Sequence, residues 1–263
     1  MSDSTPPAAL SIAGSDSGGN AGIQADLLSF AANGVYGTTA ITCLTAQNPT
    51  GVSAIHTAPA EFVDAQISQV LDFYPIKAIK TGMLFNREII MAVARRLERA
   101  PLISIVVDPV SVATSGHVLL QDDALDALKI HLLPLARVVT PNLDEAKLLL
   151  GREIQNVEEM DQAAIDLAKA YQATALVKGG HLEGEDLIDV VATPSGETHH
   201  FHQTRIQEID THGSGCTLSS ATAAQIAKGN TALDAISIAR DYLRRGMESP
   251  VTLPQSPFIN HLP

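Results

Sequence analysis

Short, almost wholly apolar runs alternate along the chain with longer stretches whose apolar residues recur every three or four positions. Residues 9–13, 38–44, 76–80, 103–107, 137–140 and 174–178 predict buried strands, each closed by polar or glycine residues. Residues 21–32, 60–72, 87–99, 123–133, 143–150 and 158–171 predict the helices between them. Alternation of this kind predicts an α/β fold with a mostly parallel central sheet flanked by helices on both faces, its crossovers right-handed because strands twist that way. Residues 187–193 and 197–205 then predict an antiparallel pair around Pro194-Ser195-Gly196, and residues 214–228 and 231–247 two closing helices. No repeat, linker or break in composition divides the chain, so residues 1–263 are expected to form a single domain. In open α/β sheets ligands collect beyond the carboxyl ends of the strands, which directs attention to the polar residues there.

Composition narrows the function. The formal net charge of -12 repels nucleic acid and anionic membrane, so neither is an expected partner. No apolar run reaches the length of a membrane span, and residues 1–9 lack the basic start of a secretory signal. The expectation is a cytoplasmic enzyme. Two cysteines, Cys43 and Cys216, are ordinary in a reducing compartment and make no disulfide scaffold. An acidic chain binds a phosphorylated ligand through backbone donors and a few placed cations.

The best candidate for such donors is Asp210-Thr211-His212-Gly213-Ser214-Gly215-Cys216-Thr217, which opens a predicted helix. Glycines turn the backbone tightly, and the helix start adds unpaired N–H groups and a partial positive charge. Together these form an anion hole for a transferring phosphoryl group. A glycine turn capping an ordinary helix fits the same residues, and physics alone leaves both readings open. The small residues Ser219-Ser220-Ala221-Thr222-Ala223-Ala224 predict close packing behind the turn. At a helix N-terminus the Cys216 thiol is expected to have a lowered pKa. No Gly-x-x-x-x-Gly-Lys-Ser/Thr, Gly-x-Gly-x-x-Gly or Gly-x-Ser-x-Gly occurs, which removes the P-loop, the dinucleotide fingerprint and the nucleophile elbow. His199, His200 and His202 suggest a metal, but only two of them share a strand face and no carboxylate pair accompanies them.

Seven motifs in order carry a resemblance: Gly14-Ser15-Asp16 with Ala21-Gly22-Ile23-Gln24-Ala25-Asp26, Thr45-Ala46-Gln47-Asn48, Lys80-Thr81-Gly82-Met83, Asp108-Pro109-Val110, Thr140-Pro141-Asn142-Leu143-Asp144-Glu145-Ala146, Lys178-Gly179-Gly180-His181, and Thr211-His212-Gly213-Ser214-Gly215-Cys216. From residue 10 to 247 the chain resembles the hydroxymethylpyrimidine/phosphomethylpyrimidine kinases of thiamine biosynthesis, a branch of the ribokinase superfamily. The resemblance implies two successive transfers from MgATP, first to the hydroxymethyl group of 4-amino-5-hydroxymethyl-2-methylpyrimidine and then to its monophosphate. It implies ATP and Mg2+ as cofactors, the pyrimidine and ATP as small-molecule partners, and a homodimer.

Carried over by residue, it implies that Gly213, Ser214 and Gly215 form the anion hole and that Cys216 stands where sugar kinases hold an aspartate base. Asn142 and Glu145 match the motif that organises magnesium and phosphates through water, although their spacing equally describes a helix cap. Asp108 is a weaker metal or phosphate candidate. Lys178, at a strand exit, is implied to reach a phosphate. Gln47 offers the acceptor and donors that an aminopyrimidine edge demands, Asp26 is expected to assist it, and Gly14, Met83 and Val110 would line the apolar faces. The segment 110–117 matches the family's mobile lid, with Ser111 where many relatives have methionine and Thr114 where they have lysine. That lost lysine weakens the grip on a substrate's existing phosphate, and Lys178 with backbone donors is expected to compensate. The rival expectations are a pyridoxal kinase, with Cys216 adding to the aldehyde, and a catalytically silent protein that binds a thiamine precursor.

Overall fold

The computed structural model describes residues 5–111, 123–180, 186–253 and 256–263, so lid segment 112–117 and His181 lie outside the described residues. Six strands stand where the apolar runs predict them: β1 (Ala8–Asp16), β2 (Tyr36–Asn48), β4 (Ile76–Thr81), β5 (Ser104–Val107), β6 (Val138–Val139) and β7 (Thr174–Val177). All six run parallel to their neighbours in this set. The predicted hairpin is present as β8 (Asp186–Ala192) and β9 (Thr198–Thr204), with Gly196 left-handed at φ 88° in its turn.

The hydrophobic pattern left β3 (Gly51–Thr57) undetected. It pairs antiparallel with β2 at the end of the sheet, and none of its residues is buried, so no apolar face was required of it. The two-residue antiparallel pair β10 (Val251–Thr252) and β11 (Pro257–Phe258) was also undetected, being too short to carry a pattern. The full order is β3-β2-β1-β4-β5-β6-β7-β8-β9.

Alternate strand residues point to opposite faces, and both faces are buried. Leu10, Ile79, Ile105, Val107, Val139 and Val177 enter one core, while Ala9, Ala78, Val106, Val138 and Leu176 enter the other. The first core is covered by α2 (Ala60–Phe73), α3 (Arg87–Leu97), α5 (Leu143–Leu150) and α6 (Val157–Tyr171). The second lies under α1 (Gly22–Ala32), α7 (Ser214–Ala227) and α8 (Ala232–Glu248). Asparagine side chains Asn86, Asn142 and Asn156 cap α3, α5 and α6, which is why these helices start where they do.

One predicted helix is corrected. Residues 123–133 form only the short α4 (Ala124–Ala127), then a π turn over Leu128–Leu132 and a 3-10 turn over Leu133–Leu135. Pro134 has no N–H to give and its ring crowds the carbonyl four residues back, so a regular helix cannot run through it.

Helix α7 is buried from Thr217 to Ala227, with no solvent face. Its alanines, serines and threonines let it sit against the sheet between α1 and α8. The chain leaves β1 for β2 on one side and later places β4 on the other, so the sheet reverses its order of growth at β1. At that reversal a crevice opens, and α7 points its N-terminus there. Ala224 has no exposed surface, so Ala224→Leu is expected to overpack α7 and lower stability by about 1–3 kcal/mol, read from the shift in a urea unfolding midpoint.

Candidate active site

A cavity of about 300 Å³ lies at this crevice, with walls from the carboxyl ends of β1, β2, β4 and β5, the start of α5, Lys178 and the 211–216 turn. Gly213 is the N-cap of α7 with φ 87°, a conformation other residues reach with strain. A Cβ there would also overlap the carbonyl oxygen of Asn20, so glycine is required twice over. The Ser214 N–H donates to Thr211 O at 3.0 Å, and Thr217 N–H to Gly213 O at 2.9 Å. Between them, Gly215 and Cys216 belong to the first helical turn, whose N–H groups have no intrahelical acceptor, and no side chain caps the helix. Gly213, Ser214, Gly215 and Cys216 all border the cavity. Gly215 lets a cation come close: a Cβ at that position would lie 3.2 Å from Lys178 Nζ.

Lys178 leaves β7 and bonds Asp108 Oδ1 at 3.2 Å, with Glu145 Oε2 3.9 Å away. Burial would depress its pKa, but Asp108 and Glu145 hold the ammonium above its ordinary value. Asp108 also accepts from Thr140 and Ser219, each at 3.2 Å. Asn142 and Glu145 form a reciprocal capping box: Asn142 Oδ1 accepts from Glu145 N–H at 2.9 Å, and Glu145 Oε2 from Asn142 N–H at 2.8 Å. The cap is therefore real, and both residues still border the cavity. Burial pushes the Glu145 carboxyl up to about 7, against the opposing pull of Lys178. A buried carboxylate of this kind is suited to a cation brought in by a ligand. Among the described residues no cluster of three or more His, Cys, Asp or Glu could hold a metal alone. The donor set fits a magnesium ion whose remaining ligands are phosphate oxygens and water.

Two expectations are corrected. Asp26 does not line the cavity; it is fully buried behind the wall. Its carboxylate takes two hydrogen bonds from Lys80 Nζ, at 2.8 and 2.9 Å, and one each from Ser11 and Ser220. The resemblance implied a direct role for Asp26 at the pyrimidine, and its bonds to Lys80, Ser11 and Ser220 bury it instead. Lys80, the buried partner of Asp26, borders the cavity instead. A charged residue at the carboxyl end of the strand was the available signal. The second correction is Cys216. Burial pushes its thiol up to about 11, outweighing the downward pull of the Lys80 ammonium and the Gly22 N–H. The helix start alone argued the opposite direction because it left out desolvation.

At the other end Gly14, Met83 and Val110 border the cavity with the side chain of Gln47. Met83 and Cys43 pack with Ile55, Phe85 and Val110 as a small apolar cluster. His212 Nε2 stands 3.2 Å from both Gln47 Nε2 and Asp16 Oδ2. Beyond Lys178 the cavity continues past Leu187, Gln203 and Leu243 to a buried pair, Arg240–Asp189 at 3.2 Å. Sequence reading gave no hint of this end, since its residues come from three separate elements. The histidines of β9 make ordinary surface contacts, His200 with Asp161 and His199 with Glu197.

A doubly covered, mostly parallel sheet with a glycine-rich helix start, a lysine and two carboxylates around one cavity defines a ribokinase-like phosphotransferase. The chain belongs to the phosphomethylpyrimidine kinase family, whose model matches residues 16–258. The hydroxymethylpyrimidine/phosphomethylpyrimidine kinase of Rhizobium meliloti is 48% identical over 249 residues, covering 92% of this chain and 90% of the relative. Among solved structures, the Bacillus subtilis pyridoxal kinase in complex with ADP has a TM-score of 0.89 at 33% identity and covers 98% of both chains. The phosphomethylpyrimidine kinase of Clostridium difficile has a TM-score of 0.81 at 36% identity, covering 91% of this chain and 98% of its own.

A carboxyl raised to about 7 has consequences with a definite sign. Glu145 keeps its proton more readily in the folded chain, so its contribution to stability is full below about 4.5 and is lost as pH rises through about 7. Binding of a cation needs the ionised form. In the free enzyme, kcat/KM for the nucleotide is therefore expected to rise through an apparent pKa near 7, and Glu145→Gln to abolish that limb; a pH series of initial rates checks both.

Proposed function

We propose that this chain transfers the γ-phosphoryl group of ATP to the hydroxymethyl oxygen of 4-amino-5-hydroxymethyl-2-methylpyrimidine, and then a second phosphoryl group to the monophosphate, in thiamine biosynthesis. One observation carries the reading: the open first turn of α7 and the carboxamide of Gln47 border the same cavity. The ring lies among Gly14, Met83 and Val110, and the open N–H groups of Gly215 and Cys216 take the charge that spreads over the transferring group. Lys178 neutralises phosphate oxygens beside Gly215. Glu145 and Asp108 would hold a magnesium ion, largely through water, and that ion would offset the charge of the phosphates. The nucleoside lies toward Leu187 and Leu243. In the transfer, the new bond joins the substrate oxygen to phosphorus, the bond to the ADP oxygen breaks, and the hydroxyl proton passes late to an oxygen of the transferred phosphoryl group and on to water. We also infer a homodimer working in the cytoplasm, by the resemblance alone; sedimentation tests the first point.

A Cys216 thiol at about 11 is protonated at rest and does not act as a standing base. A loose phosphoryl transfer asks little of a base, because positioning and charge neutralisation supply most of the rate. Cys216→Ala is expected to lower kcat by about 10–100-fold without abolishing turnover, less than loss of an indispensable general base often costs. Wild-type turnover in that variant would remove Cys216 from the transfer.

Pyridoxal is the second reading, favoured by Cys216 bordering the cavity at the transfer end. The raised thiol pKa counts against a stable adduct with the aldehyde. Product analysis with the pyrimidine alcohol, its monophosphate and pyridoxal decides: the expected result is monophosphate followed by diphosphate. Failure to phosphorylate the pyrimidine alcohol sinks the main reading, and accumulation of monophosphate alone sinks the second step.

A further inference from the structure

Asp16, at the carboxyl end of β1, is 3% exposed and accepts three hydrogen bonds. One oxygen takes the Gly18 N–H at 2.7 Å; the other takes the Ala21 N–H at 2.9 Å and faces His212 Nε2 at 3.2 Å. Burial pushes its pKa up, but the His212 hydrogen bond and the two N–H groups outweigh that and hold the carboxyl below its ordinary range. A carboxylate has no proton to offer, so the hydrogen of the Asp16–His212 contact sits on Nε2.

The same Nε2 faces the carboxamide of Gln47, whose nearest atom is its nitrogen at 3.2 Å. Two N–H groups cannot satisfy one another. A half-turn of the amide exchanges its nitrogen and oxygen, and the one Nε2 hydrogen is then shared between Asp16 Oδ2 and the carboxamide oxygen. We infer that His212, held by Asp16, fixes the carboxamide oxygen of Gln47 toward the imidazole and thereby selects a heterocycle with an amino group beside a ring-nitrogen acceptor. The oxygen keeps a second lone pair for the exocyclic amine, and the amide NH2 donates to the adjacent ring nitrogen. An oxo ring reverses that order: its carbonyl meets the carboxamide oxygen, and its ring N–H meets the amide NH2. Both contacts then fail, and polar groups in the pocket are left unpaired. His212 is thus a positioning residue that acts through Gln47 and not on the phosphoryl group.

This inference rests on Gln47 meeting the aminopyrimidine edge, and the test separates the two claims. The kcat/KM ratio for the aminopyrimidine alcohol over its oxo analogue, with carbonyl in place of amine, is measured for wild type, His212→Leu, His212→Asn and Gln47→Ala. In His212→Leu the preference for the amino ring is expected to fall by at least about tenfold, through KM, with kcat within about threefold of wild type. His212→Asn, which keeps an N–H donor, is expected to recover part of it. An unchanged preference in His212→Leu beside a lost preference in Gln47→Ala overturns the role of His212, as does a fall in kcat alone. An unchanged preference in Gln47→Ala overturns the reading of Gln47 itself. Should His212→Leu not fold, nitrogen NMR of the wild-type enzyme decides: a protonated Nε2 is expected, and a bare Nε2 with protonated Nδ1 overturns the inference.

Discussion

Under the cavity floor a lysine and an aspartate, neither with exposed surface, hold each other and the elements that carry them. Asp26 belongs to α1 and Lys80 to β4, and the same carboxylate accepts from Ser11 on β1 and Ser220 on α7. Four elements that build the site therefore meet at one buried charge. Desolvation makes such a pair costly, and its net contribution to stability is small or even negative. Its value is geometric. Loss of either partner strands the other charge and costs roughly 3–5 kcal/mol, so α7 has little freedom to drift from the sheet.

The rest of the site is built outward from that seat. Helix α7 ends its first turn over the reversal point of the sheet, and its small side chains bring backbone close to Lys178 and Asp108. Along the cavity each cation stands beside carboxylates, Lys178 near Asp108 and Glu145 and Arg240 near Asp189. This explains how a chain of net charge -12 can receive a polyanion. The field over the whole surface opposes the ligand, while the cavity answers it with a few cations and oriented N–H groups in a low dielectric, where each counts for more.

Legibility followed burial. Strands covered on both faces wrote themselves as apolar runs, because parallel strands between two helical layers admit little else. Strand β3 wrote nothing comparable, since a half-exposed edge tolerates polar residues, and the periodicity of residues 123–133 did not reveal the π turn that replaces regular helix from Leu128. The glycine turn and the capping box were legible because each is a short-range pattern with one local geometry, while Lys178 was picked out only by the resemblance. Lys80 was not legible. A lone charge at a strand end ordinarily reaches water, and only a partner 54 residues earlier keeps this one buried.

Sequence by itself determined the sheet class, the glycine turn that opens α7, and the side-chain types available at each strand end, since these follow from periodicity, glycine placement and residue identity within a few residues. Tertiary structure alone decided which groups face the ligand and in what protonation state. It put Asp26 behind the wall, raised the Cys216 thiol, and joined His212 to Gln47 across 165 residues of chain. The physical reason is that desolvation and hydrogen-bond partnership belong to neighbours in space, and crossover connections bring together residues that no local pattern relates.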